Sequence, residues 1–410
     1  MVGVQEKGPY VSREVGAKLV QDFGSPLYVY NETIIRERYQ DLVRAFSGWK
    51  NTNLLYAAKA NTNPHILQVL REEGAGLDCV SMYEVEFGLL ARFSADQMLF
   101  TVNNMSDEEM RYAHERGLRL NIDSLSRLER YGQEYPGNDV CLRLTPGVSA
   151  GHHAKVRTGH NGCKFGIQFG ELDAVQEIAA RHRLRIVGLH EHTGSGIKDM
   201  DKAMQSIESL IENARRFPNL EFLDFGGGFP IPYRPEEERV DLARFGEEVI
   251  GKFSSFCESY GKSLELRFEP GRYIVAEAGI MLCTVTTLRE RGDKAIIGVD
   301  TGFNHLVRPV MYDSYHHIVN LTGSGPQRTY NIYGNICESG DKFGENRTMT
   351  QVREGDILAI LDTGAYGFAM ASQYNSRPLP AEVMIRGNEP LLIRRRQTFE
   401  DIVSSIPLGT

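Results

Sequence analysis

At 410 residues the chain is too long for one ordinary domain and comfortable for two. Its 41% apolar and 24% charged residues are the balance of a soluble globular protein, and a net charge of −8 without a basic run argues against nucleic acid as a partner. No stretch is apolar for long enough to cross a bilayer, and Met1 to Tyr10 lacks the apolar core of a signal peptide. Cysteines at 79, 141, 163, 257, 283 and 337 form no CxxC pair. The expectation is a reducing, cytoplasmic setting with no zinc site and no membrane partner.

In chain order, the apolar run Leu27–Tyr30 comes first. Eight strand-like runs follow: Leu54–Ala58, Leu77–Val80, Met98–Val102, Leu118–Ile122, Val140–Leu144, Arg185–His192, Leu220–Phe225 and Leu264–Phe268. Helical patterns with start and stop signals lie between most of them. Asn63-Pro64 reads as an N-cap followed by proline at the first helical position, with Gly74 as a stop. Ser106 and Glu109 have capping-box spacing, with Gly117 as a stop. Eight strand–helix alternations in this length predict a closed, parallel (β/α)8 barrel of the TIM type over residues 35–278. After about residue 280 the helical period fades. Short runs such as Ile280–Thr287, Ala295–Val299, Thr329–Tyr333 and Ile357–Leu361 alternate with turn residues. They predict a mostly antiparallel β domain, a sandwich or small barrel, formed by 279–410 together with 1–34 and its early strand.

In such barrels the chemistry sits at the C-terminal ends of the strands. Lys59 follows the first run among small residues, in Ala57-Ala58-Lys59-Ala60-Asn61. A strand-end lysine is usually a surface residue, but one at a barrel mouth can also attach a carbonyl compound covalently. His190 and His192 share a face at the sixth strand end. They read as core histidines, as a metal pair, or as a ring that stacks on a ligand; the fifth and eighth strand ends offer no further histidine for a metal-dependent hydrolase. Gly226-Gly227-Gly228 ends the seventh strand, where barrels often bind phosphate, and backbone N–H groups there can approach an anion. Glu269-Pro270-Gly271-Arg272 ends the eighth, where a surface ion pair is the plain alternative. A lysine, a stacking histidine, a phosphate cradle and a carboxylate on one barrel mouth together point to pyridoxal phosphate, with the carboxylate holding the ring nitrogen protonated.

These residues resemble the fold-type III decarboxylases, which include the ornithine, arginine and diaminopimelate decarboxylases. The resemblance covers nearly the whole chain. It rests on Tyr56-Ala57-Ala58-Lys59-Ala60-Asn61, His190-Glu191-His192-Thr193-Gly194-Ser195, Gly226-Gly227-Gly228-Phe229-Pro230, Glu269-Pro270-Gly271-Arg272-Tyr273, Cys337-Glu338-Ser339-Gly340-Asp341 and Gly364-Ala365-Tyr366-Gly367. Arg308-Pro309-Val310-Met311-Tyr312, Tyr374-Asn375-Ser376-Arg377-Pro378 and Ile393-Arg394-Arg395-Arg396-Gln397-Thr398 look most like the bacterial diaminopimelate branch.

The resemblance implies that Lys59 carries the cofactor, that His192 stacks on its ring, and that Ser195, Gly226, Gly227, Gly228 and Tyr366 hold its phosphate. It places Glu269 at the ring nitrogen, with Pro270, Gly271 and Arg272 beside it. Arg272, Arg308, Tyr312, Glu338 and Tyr366 would bind the amino-acid substrate. Cys337 would help to protonate the carbon that loses CO2. Cys337 and Glu338 would serve the active site of the other subunit in an obligate homodimer. The implied reaction converts meso-diaminopimelate to L-lysine and CO2. Gly334-Asn335-Ile336, where the family has Gly-Pro, and Thr193, in place of an aliphatic residue, depart from the pattern. The rival readings are decarboxylation of carboxynorspermidine, ornithine or arginine, an amino-acid racemase, and a regulatory homologue without activity. Glu269 opposes the racemase, which places arginine at the ring nitrogen. Arg308 and Tyr312 suit a distal carboxylate.

Overall fold

The computed structural model describes residues 7–145, 164–291 and 294–407. The chain divides into two compact units, one of residues 36–230 and 240–273, the other of 1–35, 231–239 and 274–410.

The first unit is the expected barrel. Its strands are Thr52–Ala57, Gly76–Cys79, Met98–Phe100, Arg119–Ile122, Asp139–Thr145, Arg185–Glu191, Phe222–Asp224 and Glu265–Phe268. Each pairs in parallel with the next. Leu266 opposite Thr52 brings the last strand back to the first and closes the ring. The predicted start signals work as hydrogen bonds. Asn63 Oδ1 accepts from the His65 N–H at 3.1 Å. Ser106 Oγ accepts from the Glu109 N–H at 3.1 Å, while the Glu109 carboxylate accepts from the Ser106 N–H at 2.8 Å. The Ala58–Ala60 segment leaves the first strand as a single 3-10 turn, so the run expected to reach Ala58 ends one residue earlier as strand.

The second unit is a nine-stranded, mostly antiparallel sheet. The early strand, Leu27–Asn31, lies inside it. It runs antiparallel to Gly279–Arg291 and parallel to Ala381–Arg386. Leu27 and Val29 pack with Ile280, Leu282, Ala359 and Val383 in one apolar cluster. Tyr28 and Tyr30 point to the opposite face and are equally buried. Each finds a polar partner there: the Tyr28 hydroxyl donates to the His305 carbonyl at 2.6 Å, and that of Tyr30 to the Glu382 carboxylate at 2.6 Å. Burying one such apolar side chain contributes about 1.5–3 kcal/mol, so a four-residue run buried on both faces anchors the sheet. Among the described residues, no helix is long and apolar enough to cross a membrane.

Candidate active site

The barrel unit gathers its predicted residues at the strand ends. Ala58 and Ala60 are fully buried, which pins the turn between them and presents Lys59. Gly271 lets the eighth strand end approach this turn: a Cβ there would lie 3.1 Å from the Cβ atoms of Ala57 and Ala60. The Pro270 carbonyl accepts from the Ala57 N–H at 3.1 Å. Pro270 and Gly271 thus join the first and last strands. Lys59 Nζ donates to Asp78 Oδ2 at 2.7 Å, and Asp78 is fully buried.

Glu269 is buried and accepts from His190 Nε2 at 3.1 Å through Oε2. Burial holds His190 well below the usual histidine range, and the neighbouring Arg143 adds to this, so its ring is neutral and donates that bond. Burial also pushes the Glu269 carboxyl up, against the pull of Lys59, Arg143 and Arg267. Its second oxygen, Oε1, is buried with no hydrogen-bond partner. Asp224 joins the cluster. Its carboxyl is raised well above the usual range by burial and then by Glu269; Oδ1 accepts from the Gly226 N–H at 2.9 Å.

The three glycines are close-approach positions. Gly226 has φ +64, and a Cβ on it would lie 2.4 Å from the Glu191 carbonyl oxygen. A Cβ on Gly227 would lie 2.3 Å from the Glu269 carbonyl oxygen. The Gly227 N–H donates to His192 Nδ1 at 3.1 Å. That bond assigns the His192 proton to Nε2, and burial holds the ring well below the usual histidine range, hence neutral. Ser195 Oγ accepts from Arg272 Nη2 at 2.8 Å, and Arg272 is buried. The barrel therefore brings together Lys59, His192, Ser195, Gly226, Gly227, Gly228, Glu269 and Arg272.

Pyridoxal phosphate fits this chemistry. A protonated ring nitrogen is a cation with one N–H, and Glu269 Oε1 is a buried acceptor that lacks one. The glycine stretch has no side chains of its own to bar an anion from the backbone, although Asp224 and His192 accept from the Gly226 and Gly227 N–H groups. His190, Asp224 and Glu269 also bring one possible metal ligand each to within 4.8 Å of one another. His192, the other half of the suspected metal pair, takes no part in that trio, and three cations already act on Glu269.

The other predicted residues belong to the β unit. Arg308 is buried, and its guanidinium donates to His316 Nε2 at 3.4 Å and Ser314 Oγ at 3.2 Å. Tyr312 ends the same short helix, Arg308–Tyr312. Tyr366 has φ +57, a left-handed backbone rare for an aromatic residue. Cys337 is exposed, whereas Cys79, Cys141, Cys257 and Cys283 are buried; Cys163 lies outside the described residues.

Sequence reasoning missed Asp78, Arg143, Asp224 and Arg267. All four are buried ionisable residues inside apolar strand runs. That misplacement was the available signal, because an isolated charge in a barrel strand needs a partner.

A family model described as pyridoxal-dependent decarboxylase, pyridoxal binding domain, matches residues 32–276. The chain is 42% identical over 413 aligned positions to diaminopimelate decarboxylase of Methanothermobacter thermautotrophicus, covering 98% of this chain and 96% of that protein. It is 35% identical to the Escherichia coli K12 enzyme of the same name, covering 94% and 95%. The crystal structure of Helicobacter pylori diaminopimelate decarboxylase complexed with L-lysine superposes with a TM-score of 0.88 at 30% identity, covering 95% of this chain and 98% of that one.

Proposed function

Because the chain belongs to the pyridoxal-dependent decarboxylases, we propose that it removes CO2 from meso-2,6-diaminopimelate to give L-lysine. The carrying observation is Glu269, a buried carboxyl whose Oε1 lacks a partner and on which the Lys59 charge acts at the mouth of the barrel. The relatives named above act on diaminopimelate by name, and one solved relative holds L-lysine.

When bound, pyridoxal phosphate supplies the electron sink for the pair left on carbon as CO2 departs. The chain's residues do the rest. Asp78 aims the Lys59 amine, the attachment point, from a buried position. Glu269 keeps positive charge at Oε1, which favours its ionised form and reverses the effect of burial. Neutral His192 offers a flat ring fixed by Gly227. Gly226 to Gly228 with Ser195 and Tyr366 take the phosphate. Arg272, Arg308, Tyr312, Glu338 and Tyr366 read the substrate, Arg308 through a bidentate pair with its distal carboxylate. The Cys337 thiol gives a proton to the carbon that has lost CO2.

The enzyme works as a cytoplasmic homodimer in which Cys337 and Glu338 serve the other chain's site. This assembly rests on the family resemblance and on the exposure of Cys337. The reaction is tested by incubating the purified protein separately with meso-diaminopimelate, carboxynorspermidine, ornithine and arginine, and measuring CO2. Release from meso-diaminopimelate above all others is expected. Faster release from any of the other three overturns the substrate assignment.

A further inference from the structure

The Tyr374-Asn375-Ser376-Arg377 stretch marks the diaminopimelate branch, yet the roles given above leave it without work. Its contacts are specific. Asn375 Oδ1 accepts from the Cys337 N–H at 3.1 Å, and Asn375 Nδ2 lies 3.2 Å from Cys337 Sγ. One carboxamide thus grips both the backbone and the sulfur of one residue. The Tyr374 hydroxyl donates to the Glu338 carboxylate. Arg377 Nη2 donates to the Asn335 carbonyl at 2.9 Å. Three near neighbours in sequence therefore hold 335, 337 and 338 of the facing loop.

That loop is also tied from behind. Asp341, nearly fully buried, accepts from the Ile336 N–H at 2.8 Å and the Phe303 N–H at 2.7 Å. Phe303 in turn stacks on Tyr374, with ring centroids 5.6 Å apart. The gripping segment is itself held in a sparsely populated conformation: Asn375 has φ +57 and Ser376 φ +53. Asparagine is the residue that tolerates this backbone while still offering both a donor and an acceptor. An exposed thiol on a loop would otherwise rotate freely about its Cα–Cβ bond.

We propose that this stretch is a clamp, with Asn375 the positioning residue for the Cys337 sulfur and Tyr374 that for the Glu338 carboxylate. The inference rests on the reading of Cys337 as proton donor. In that step the S–H bond breaks and the proton joins the carbon that lost CO2, whose electron pair forms the new C–H bond. The thiolate left behind recovers a proton from water. With the sulfur out of place the proton would add to a carbon of the cofactor instead; water would then release the substrate as an aldehyde, its amine nitrogen would stay on the cofactor, and CO2 would exceed lysine.

The test compares wild type, Asn375→Gly, Asn375→Asp and Cys337→Ala. Glycine accepts φ +57 without strain and removes only the carboxamide. Aspartate keeps the acceptor for the Cys337 N–H and removes the donor facing sulfur. Two quantities are read: lysine formed per CO2 released, and hydrogen exchange of the peptide holding Cys337, which needs no turnover. Asn375→Gly is expected to speed exchange at the Cys337 amide about tenfold or more and to lower kcat about tenfold to a hundredfold. Its lysine yield per CO2 should fall below one, as in Cys337→Ala. Asn375→Asp should keep slow exchange yet show the lower yield. Wild-type yields in both Asn375 variants, with Cys337→Ala defective, overturn the positioning role even if exchange accelerates. A yield of one in Cys337→Ala removes the proton-donor reading instead; exchange then decides the clamp, and an unchanged rate in Asn375→Gly overturns it.

Discussion

Lys59 Nζ and Asp78 Oδ2 lie 2.7 Å apart, joining the turn after the first barrel strand to the interior of the second. The lysine is partly open to solvent, and the aspartate is wholly buried. Burial and then Glu269 raise the Asp78 carboxyl, while Lys59 opposes them. A lysine that must reach one carbon of a cofactor is thereby aimed from below. Asp78→Asn should keep the fold, since an amide buries more easily than a charge. It should lower kcat by about tenfold or more, because the amine loses its orientation. Turnover at the wild-type rate, with intact circular dichroism, would make Asp78 a structural residue only.

Glu269→Gln tests the electron sink. The amide can still accept from His190, so the barrel should fold and bind the cofactor. It cannot balance a cation at the Oε1 position. A fall in kcat of about a hundredfold or more is expected, the scale found when a single electrostatic partner is removed from an active site. Steady-state kinetics on meso-diaminopimelate decide the point, and a loss under threefold would remove Glu269 from the chemistry.

Gly227→Ala would place a methyl carbon 2.3 Å from the Glu269 carbonyl oxygen. The eighth strand end must shift to relieve the clash, and the Glu269 carboxylate shifts with it. Destabilisation of about 1–3 kcal/mol is expected from the overpacking, together with weaker cofactor affinity. Thermal unfolding and fluorescence titration with pyridoxal phosphate read the two effects. A normal Tm combined with normal affinity would contradict the close approach.

Glu191 lies between the two histidines, is buried, and accepts from Ser206 Oγ at 2.7 Å. Burial raises its carboxyl to about 8, and the Ser206 hydroxyl partly offsets this. The unfolded chain releases that proton at an ordinary carboxylate pKa, so between about 4.5 and about 8 the folded state binds the extra proton. Stability contributed by this group is present below the lower bound and lost as pH rises towards the upper one. Glu191→Gln keeps an acceptor for Ser206 and cannot ionise. Denaturant unfolding should show the variant gaining on wild type from pH 6 to pH 8, by a few kcal/mol in order of magnitude. An equal pH slope in both proteins would show that Glu191 is not protonated in the fold.

Lys59→Ala and Cys337→Ala should each be nearly inactive as pure dimers. Unfolded and refolded together, about half of the dimers should be mixed, and each of these holds one intact site if the two residues come from different chains. Activity should then return to roughly a quarter of wild type. Dimers confirmed by mass with no recovered activity would reject the shared site.

Local chemistry made the barrel readable. Several helix starts are decided by a few adjacent residues, such as Asn63 with Pro64 or Ser106 with Glu109, and the barrel strands are short, largely apolar runs. The same holds for Lys59 between alanines and for the glycines at 226 to 228, whose neighbours along the chain already limit what they can do. Tertiary structure alone decided which ionisable groups meet. Asp78, His190 and Asp224 come from three strands and Glu269 from just past a fourth, and only the parallel register, with Leu189 opposite Leu223 and Leu266 opposite Leu223, brings them together. It also chose the neighbours of Leu27–Asn31, which come from segments hundreds of residues later. The strands Lys342–Thr350 and Glu389–Arg394 end the sheet's pairing path and are largely polar or exposed. Such strands carry no clear alternation, because an edge facing water has no apolar surface to hide. Residues 231–239 join the β unit although the chain on both sides belongs to the barrel. Pairings of this kind depend on many distant residues at once, since closing a long loop is repaid only by the whole set of contacts it makes.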